Sequence, residues 1–529
     1  MVGGGDKAPI VVTIDNGGGS LKAGLVNSTL DGDAIYPETE IPNAVARSRR
    51  GGKAAKNKLL IGKEITPCPE YTMTRPSHKG VVIDWETEKI IWDAVIHGRR
   101  LLPGLLPKGT DLSEVTVLVS QPLFCPVMVT RVGMQVLFED FGFARALFID
   151  SPICLQFSQG ITSQFGDDEW RNPCGLIVDA GFSGCRAVPV YNTYPLEHCA
   201  QRMDVGGRVM TNYLKEALAY NQVDLDDAPL LVEHIRENMC YSALNFAEEV
   251  QAARANPSET IRRYVLPDHS SSSSHLGRVV DPQIEEGNSS GEFVDLNHER
   301  MVICEALWQP GSIGIVQEGL GEMAAGAVMK APAATRSAVA KKVILGGGLF
   351  LIPGVLERFK QEFKSNLPDD IASEVRFFVE EDGRYDLSVW RGLHTLGSSE
   401  TDMAQLGLFK RDAWLKAARK AAVPSGTAAS DVISLTPKSG VSGFDLDRFR
   451  FCQKACAASD EVIRDMKDCE EFCLRLCFKD SIVGDSNANA NYVVLDRSPG
   501  APENSAKCMQ VCTTGCGFRF GEEASGDWK

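Results

Sequence analysis

Twice along this chain an apolar, β-branched run ends on an aspartate, turns on glycines and starts a second strand. The first copy covers residues 10–24, where Ile10 to Ile14 leads into Asp15, Asn16, Gly17, Gly18, Gly19 and, after Ser20 and Leu21, Lys22. The second covers residues 175–189, where Gly175 to Val178 leads into Asp179, Ala180, Gly181, Phe182, Ser183 and Gly184. A buried strand that turns on glycine lets backbone N–H groups come close to an anion. Lys22 can add a point charge, and an aspartate at the strand end can hold a hydrated divalent cation. One such hairpin is a common structural turn. Two imply a duplicated architecture that clamps a phosphate-bearing ligand between its halves.

The bulk properties allow such a protein and exclude others. At 529 residues, 43% hydrophobic and 24% charged, the chain has material for a large core in two or more domains. A net charge of −15 argues against non-specific coating of nucleic acid, which needs an excess of Lys and Arg. No run of about 18 apolar residues occurs, and residues 1–9 have no apolar core of signal-peptide length, so the chain is expected to stay in the cytoplasm or nucleus. Residues 41–58 hold six basic residues and no acid, which reads equally as a solvated loop or as a nuclear-import or DNA-backbone patch. Of the 16 cysteines, those between residues 68 and 304 read as buried thiols of a reducing compartment.

Five ordered motifs resemble the actin family. Asp15, Asn16, Gly17, Gly19, Lys22, Ala23 and Gly24 match its first phosphate loop, and Asp179, Gly181 and Pro189 its second. Residues 75–92 follow with Trp85 and Trp92 seven apart, on one helix face and expected in the core. Residues 115–119 read as a strand and residues 131–141 as an amphipathic helix, whose Gln135 matches the family helix that positions the attacking water. Residues 202–214 carry Gly207, which would let the backbone approach the nucleotide; residues 235–246 place Arg236 and Glu237 beside the adenosine. Residues 345–354 supply Gly347, Gly348 and Leu349 at a strand-to-helix turn that admits the adenine, and residues 388–392 close the pattern.

The resemblance covers about residues 8–415 and implies an α/β fold of two duplicated ribonuclease-H-like domains, each a mixed five-stranded sheet flanked by helices, with a nucleotide cleft between them. The halves are expected at 8–160 with 380–415, and at 170–380. The implied ligand is ATP or ADP with Mg held through water by Asp15 and Asp179. Residues 212–220, 263–268, 297–300 and 310–318 point to the branch of nuclear actin-related proteins found in SWR-type chromatin remodellers. That branch implies a structural subunit of a complex that deposits the Z variant of histone 2A. Its partners would be the remodeller's ATPase subunit and a zinc-finger HIT-type subunit, with the nucleosome reached indirectly. Ser-rich then acidic residues 269–295 read as a flexible insertion. Framed by retained motifs, the region 264–317 is expected to contribute to docking. The long filament loop of actins is missing after the basic tract, so no filament is expected.

Departures from the family pattern weaken catalysis. Phe182 stands where actins have a second acid, Arg186 where they have a water-polarising His, and Gly18 where they have a Ser. Asp386 and Glu233 replace cations on the adenosine side. The implied state is a bound nucleotide with little hydrolysis. An active ATPase of the superfamily joining actins, heat-shock chaperones and sugar kinases is the alternative, and a cytoskeletal protein a third reading. Residues 421–442 read as a linker. Beyond it lie Cys452, Cys456, Cys469, Cys473, Cys477, Cys508, Cys512 and Cys516, spaced to share helix faces. Disulfide staples, all-cysteine zinc binding, reduced thiols, and a tail joined to this chain by an erroneous gene model all remain open.

Overall fold

The computed structural model describes residues 10–26, 35–48, 59–65, 71–165, 174–191, 194–221, 223–267, 276–281 and 292–421. The linker from 422 and the eight tail cysteines lie outside the described residues, as do most of the basic tract and part of the 269–295 segment.

The same strand layout occurs twice. In the first sheet β1 (Val11–Asn16) pairs antiparallel with β2 (Ser20–Leu25) and parallel with β4 (Thr116–Gln121). β3 (Thr39–Pro42) extends the β2 side, and β5 (Arg145–Asp150) runs parallel to β4. In the second sheet β6 (Gly175–Ala180) pairs antiparallel with β7 (Cys185–Tyr191) and parallel with β8 (Lys342–Gly346), which β9 (Arg376–Phe378) follows in parallel. Each half is thus a hairpin joined by its first strand to two crossover strands. Both sheets have six strands where five were expected. The first gains the two-residue edge Phe409–Lys410, and the second is completed by Tyr194–Pro195 and Gln201–Met203, both paired with β7; strands this short leave no period in the sequence.

Strands covered on both faces should be apolar throughout, and they are. Val12, Ile14, Val117 and Val119 point into one cluster with α1 (Trp85–His97), while their neighbours Val11 and Leu118 point the other way. Leu176 and Val178 likewise enter a second core, and Ile177 turns back. The inward residues of both sheets meet in one cluster, in which Val11, Leu118, Ile177 and Ile344 are joined by Leu393 and Leu396 of helix Ser388–Gly397. Apolar packing therefore runs from one half into the other beneath the cleft.

On α1 Trp92 is fully buried, with Trp85 edge-on at 5.9 Å. The Asp84 side chain caps this helix by accepting from the Thr87 N–H. The expected helix over 131–141 is two pieces: α2 (Val127–Gln135), then a wider π-type turn Val136–Phe141 that ends on left-handed Gly142. Of the segment 269–295, residues 269–275 and 282–291 lie outside the described residues, and the described parts contribute strands. Arg278–Val280 and Phe293–Leu296 flank Arg262–Val265 in a three-stranded sheet. Tyr264 and Val294 are buried there, and Arg263 forms a bidentate pair with Asp295. Among the described residues, seven cysteines are free thiols, all buried except half-buried Cys125. No described helix is long and apolar enough to cross a membrane.

Candidate functional site

In each hairpin the strand register sets the aspartate opposite a cation: Asp15 faces Lys22, and Asp179 faces Arg186. Ser120, at the end of β4 and one strand over from Asp15, orients that carboxylate. Its hydroxyl accepts from the Asn16 N–H at 2.9 Å and donates to Asp15 Oδ1 at 2.7 Å. Ser151, just after β5, donates to Asp179 Oδ2 at 3.4 Å. Lys22 Nζ lies 3.9 Å from both Asp15 and Asp386, and Arg186 Nη1 lies 3.9 Å from Asp179.

These ion pairs are loose and the carboxylates are deep. Burial pushes the Asp15 carboxyl above the usual range, with Lys22 and the Ser120 hydroxyl only partly restoring the charge. Burial does the same to Asp179 against the pull of Arg186, and Asp15 raises it further. The two aspartates therefore sense each other, and a cation between them would relieve both. Among the described residues no three carboxylate, His or Cys groups converge as direct ligands. The donor set fits a divalent ion held through water, with phosphate oxygens completing its shell.

The glycines of three segments gather around this pair. Gly347 adopts φ +106, a conformation that L side chains rarely adopt, and a Cβ on it would run into the Ala180 carbonyl beside Asp179. Gly348 next to it faces open space, with only Asp386 Cβ within 4 Å of where its own Cβ would stand, while Leu349 is buried. Gly207 opens helix α3 (Gly207–Asn221), and its N–H donates to Gly181 O at 3.2 Å, as the Arg208 N–H does to Phe182 O at 2.9 Å. The helix start is thus spent on the second turn instead of pointing into the cleft. Arg236 on helix α4 (Pro229–Met239) is buried, donating to Thr211 Oγ1 at 3.1 Å and to exposed Glu237 at 2.8 Å.

Gln135 makes no direct hydrogen bond to this group. Its exposed amide donates to Glu139 one turn on, and none of its hydrogen bonds reaches Asp15 or Asp179. The polar groups that do stand beside the two carboxylates are Ser120 and Ser151.

Two arginines escaped the sequence reading. The isolated acids Glu233 and Asp386 read as pure losses of positive charge, yet each has its own arginine. Arg75 holds Glu233 through two bonds of 2.7 and 3.0 Å, and Arg384 holds Asp386 through two of 2.9 Å while reaching Glu40 at 3.0 Å. For Asp386, burial pushes its pKa up but Arg384 and Lys22 outweigh it, so the carboxyl sits below its ordinary value. The Arg384 to Asp386 spacing of two residues was readable as a local pair. Nothing in the sequence marks Arg75 as the partner of a residue in the other half.

The aspartate end thus fits a metal-bound phosphate. The Phe182 ring lies between the halves: a Cβ on Gly19 would sit 2.7 Å from Phe182 Cγ, and one on Gly207 3.3 Å from Phe182 Cδ2. That ring stands between the first turn and the start of α3.

Comparison with known families matches residues 5–412 to the family described as Actin. The chain is similar to Actin-related protein 6 of Arabidopsis thaliana, 30% identical over 422 residues that span 74% of this chain and 93% of that protein. It is similar to Actin-related protein 6 of Oryza sativa subsp. indica, 29% identical over 413 residues, 72% of this chain and 91% of that one. Actin-like protein ARP6 of Yarrowia lipolytica is 27% identical over 366 residues, 69% of this chain and 85% of the fungal protein.

Proposed function

This chain belongs to the actin family, and on that premise we propose that it is a structural subunit of a nuclear chromatin remodeller of the SWR type, which deposits the Z variant of histone 2A. Its proposed partners are the remodeller's ATPase subunit and the zinc-finger HIT-type subunit, docked in part through the region 264–317. The histone variant and the nucleosome are reached through them.

The observation that carries a structural role is the second turn. Phosphoryl transfer to water needs a positioned nucleophile and charge stabilisation in line with the leaving group. Beside Asp179 this chain offers an apolar ring at Phe182 and a permanently charged guanidinium at Arg186, which cannot take a proton from water at neutral pH. The group we propose at the aspartate end is ATP or ADP with Mg, where a bound metal would neutralise phosphate charge. Asp15 and Asp179 would hold its water shell, Lys22 would contact phosphate, and Gly347 and Gly348 would leave room for the base.

The test is steady-state phosphate release from Mg-ATP by the purified full chain. Release far below about 1 per second is expected, and a rate at or above that ordinary enzymatic value overturns the structural reading in favour of an active ATPase.

A further inference from the structure

We propose that Phe182, clamped by Arg75 and Glu233, is a built-in occupant of the cleft that closes the two halves on each other and that a nucleotide must displace to enter. The proposal rests on the reading of the cleft as a nucleotide site, but the clasp itself is made of protein alone.

Arg75 precedes the short hairpin at Ser77–His78 in the first half. Its Nη1 donates to the carbonyl of Gly19, and more weakly to that of Gly18 at 3.4 Å. Its Nη2 crosses to Glu233 on α4 in the second half at 2.7 Å, and the guanidinium lies over the Phe182 ring with 4.5 Å to the ring centre. One side chain therefore ties the first glycine turn, the second turn and the adenosine-side helix together. The pair is well shielded, with the Arg75 side chain 8% and the Glu233 side chain 15% exposed. Nη2 is shared by both oxygens of Glu233; such a charge-assisted contact in shielded surroundings is stronger than a surface salt bridge, and a cation on a ring face adds to it.

The two turns also touch directly. A Cβ on Gly18 would collide with the Ser183 hydroxyl and would come within 3.3 Å of Ser77 Oγ, so the serine missing from the first turn has its space taken by one from the second. A peripheral bridge, Lys79 to Asp204 at 2.9 Å, spans the same seam. Where a bound nucleotide would bridge the halves, this chain bridges them with its own side chains.

The consequence is kinetic as well as structural. Entry of a ribose between Gly19 and Gly207 requires the ring to swing out and the Arg75 to Glu233 pair to open, so association is limited by that opening.

Two measurements on the full chain test this. The first is amide hydrogen exchange on protein stripped of nucleotide with apyrase. The amides of residues 17–20 and 181–184 should be protected in the unaltered protein and exchange about tenfold faster or more in Phe182→Ala and in the shape-preserving Glu233→Gln. Equal exchange in all three proteins overturns the clasp. The second is stopped-flow mixing with a fluorescent etheno-ATP and Mg, in which both variants should bind about tenfold faster or more than the unaltered protein. Binding no faster in the variants overturns the displacement step. If exchange differs as expected but none of the three binds etheno-ATP at millimolar concentration, the nucleotide reading fails and the clasp stands. Glu233→Gln keeps the test available should Phe182→Ala fold poorly.

Discussion

Beneath the first glycine turn lies a carboxylic acid with no exposed surface. Glu88, on α1, accepts from Asn43, whose amide also donates to Gly17 O at 3.0 Å, and its second oxygen has no partner. Burial pushes its pKa from 4.5 up to about 7, against the pull of hydrogen bonds from Asn16, Asn43 and Trp92. Because the folded value lies above the unfolded one, the folded state holds this proton more tightly. The stabilisation is complete below pH 4.5 and is lost as pH rises to 7. The shift corresponds to a loss on the order of 3 kcal/mol across that window. Glu88→Gln should flatten the fall of melting temperature between pH 5 and 8 and raise the melting temperature most at pH 8. Asp15 and Asp179 shift in the same direction, so some slope should persist. Parallel profiles for the two proteins would show that Glu88 is already ionised in the fold. At this scale the sequence was readable where chemistry is local. Asp15, Lys22 and Asp179 sit on strand ends marked by their own glycines. The partners Ser120, Arg75 and Arg384 come from distant or unmarked positions, and only the folded chain pairs them.

Among the elements, helix Ser388–Gly397 gives Leu393 and Leu396 to the apolar cluster shared by both sheets, and its polar face is anchored in the first half. Arg391 on it donates to Glu380 at 2.6 Å and to both oxygens of Asp382, and its Nε reaches the Ile35 carbonyl at 3.1 Å. The Glu380 side chain has no exposed surface and also receives the Ser158 hydroxyl. Removing the guanidinium would strand a buried charge, so Arg391→Met should lower unfolding free energy by about 3–5 kcal/mol in urea titration. A loss under about 1 kcal/mol, the scale of exposed pairs, would mean that the site is hydrated instead of buried. The hydrogen bond from Arg391 also holds the Asp382 carboxyl well below its ordinary 3.8. That contribution is present above pH 3.8 and is lost as pH falls, so the variant should show a weaker dependence on acid than the unaltered protein. The strands and Trp-bearing helix were legible because their apolar periods are strong. The π segment after Gln135 leaves no mark in the sequence, which reads as one helix through it. In the segment 269–295 the serines, Glu285 and Glu286 lie outside the described residues, while Val279, Val280 and Val294 are β-branched and pair with Arg262–Val265.

For the whole molecule, duplication is what the sequence announced most clearly, since two aspartate hairpins define two sheets and the cleft between them. The closure of that cleft was hidden, because it depends on a ring and an arginine whose meaning is set by what faces them. A chain held shut by its own side chains should not turn over nucleotide quickly, and the short stretch read in the sequence where actins carry a long filament loop leads us to expect no polymer. Sedimentation in Mg and polymerising salt should leave it in the supernatant, and pelleting with concentration would favour the cytoskeletal reading. The most direct test of the structural-subunit account is affinity purification of the tagged full chain from its own cells, followed by mass spectrometry. The account predicts that a remodeller ATPase subunit and a zinc-finger HIT-type subunit are recovered in near-stoichiometric amounts, at the same yield from the unaltered protein and from Asp179→Asn. Recovery of the chain alone, or with cytoskeletal proteins in place of those subunits, would contradict it.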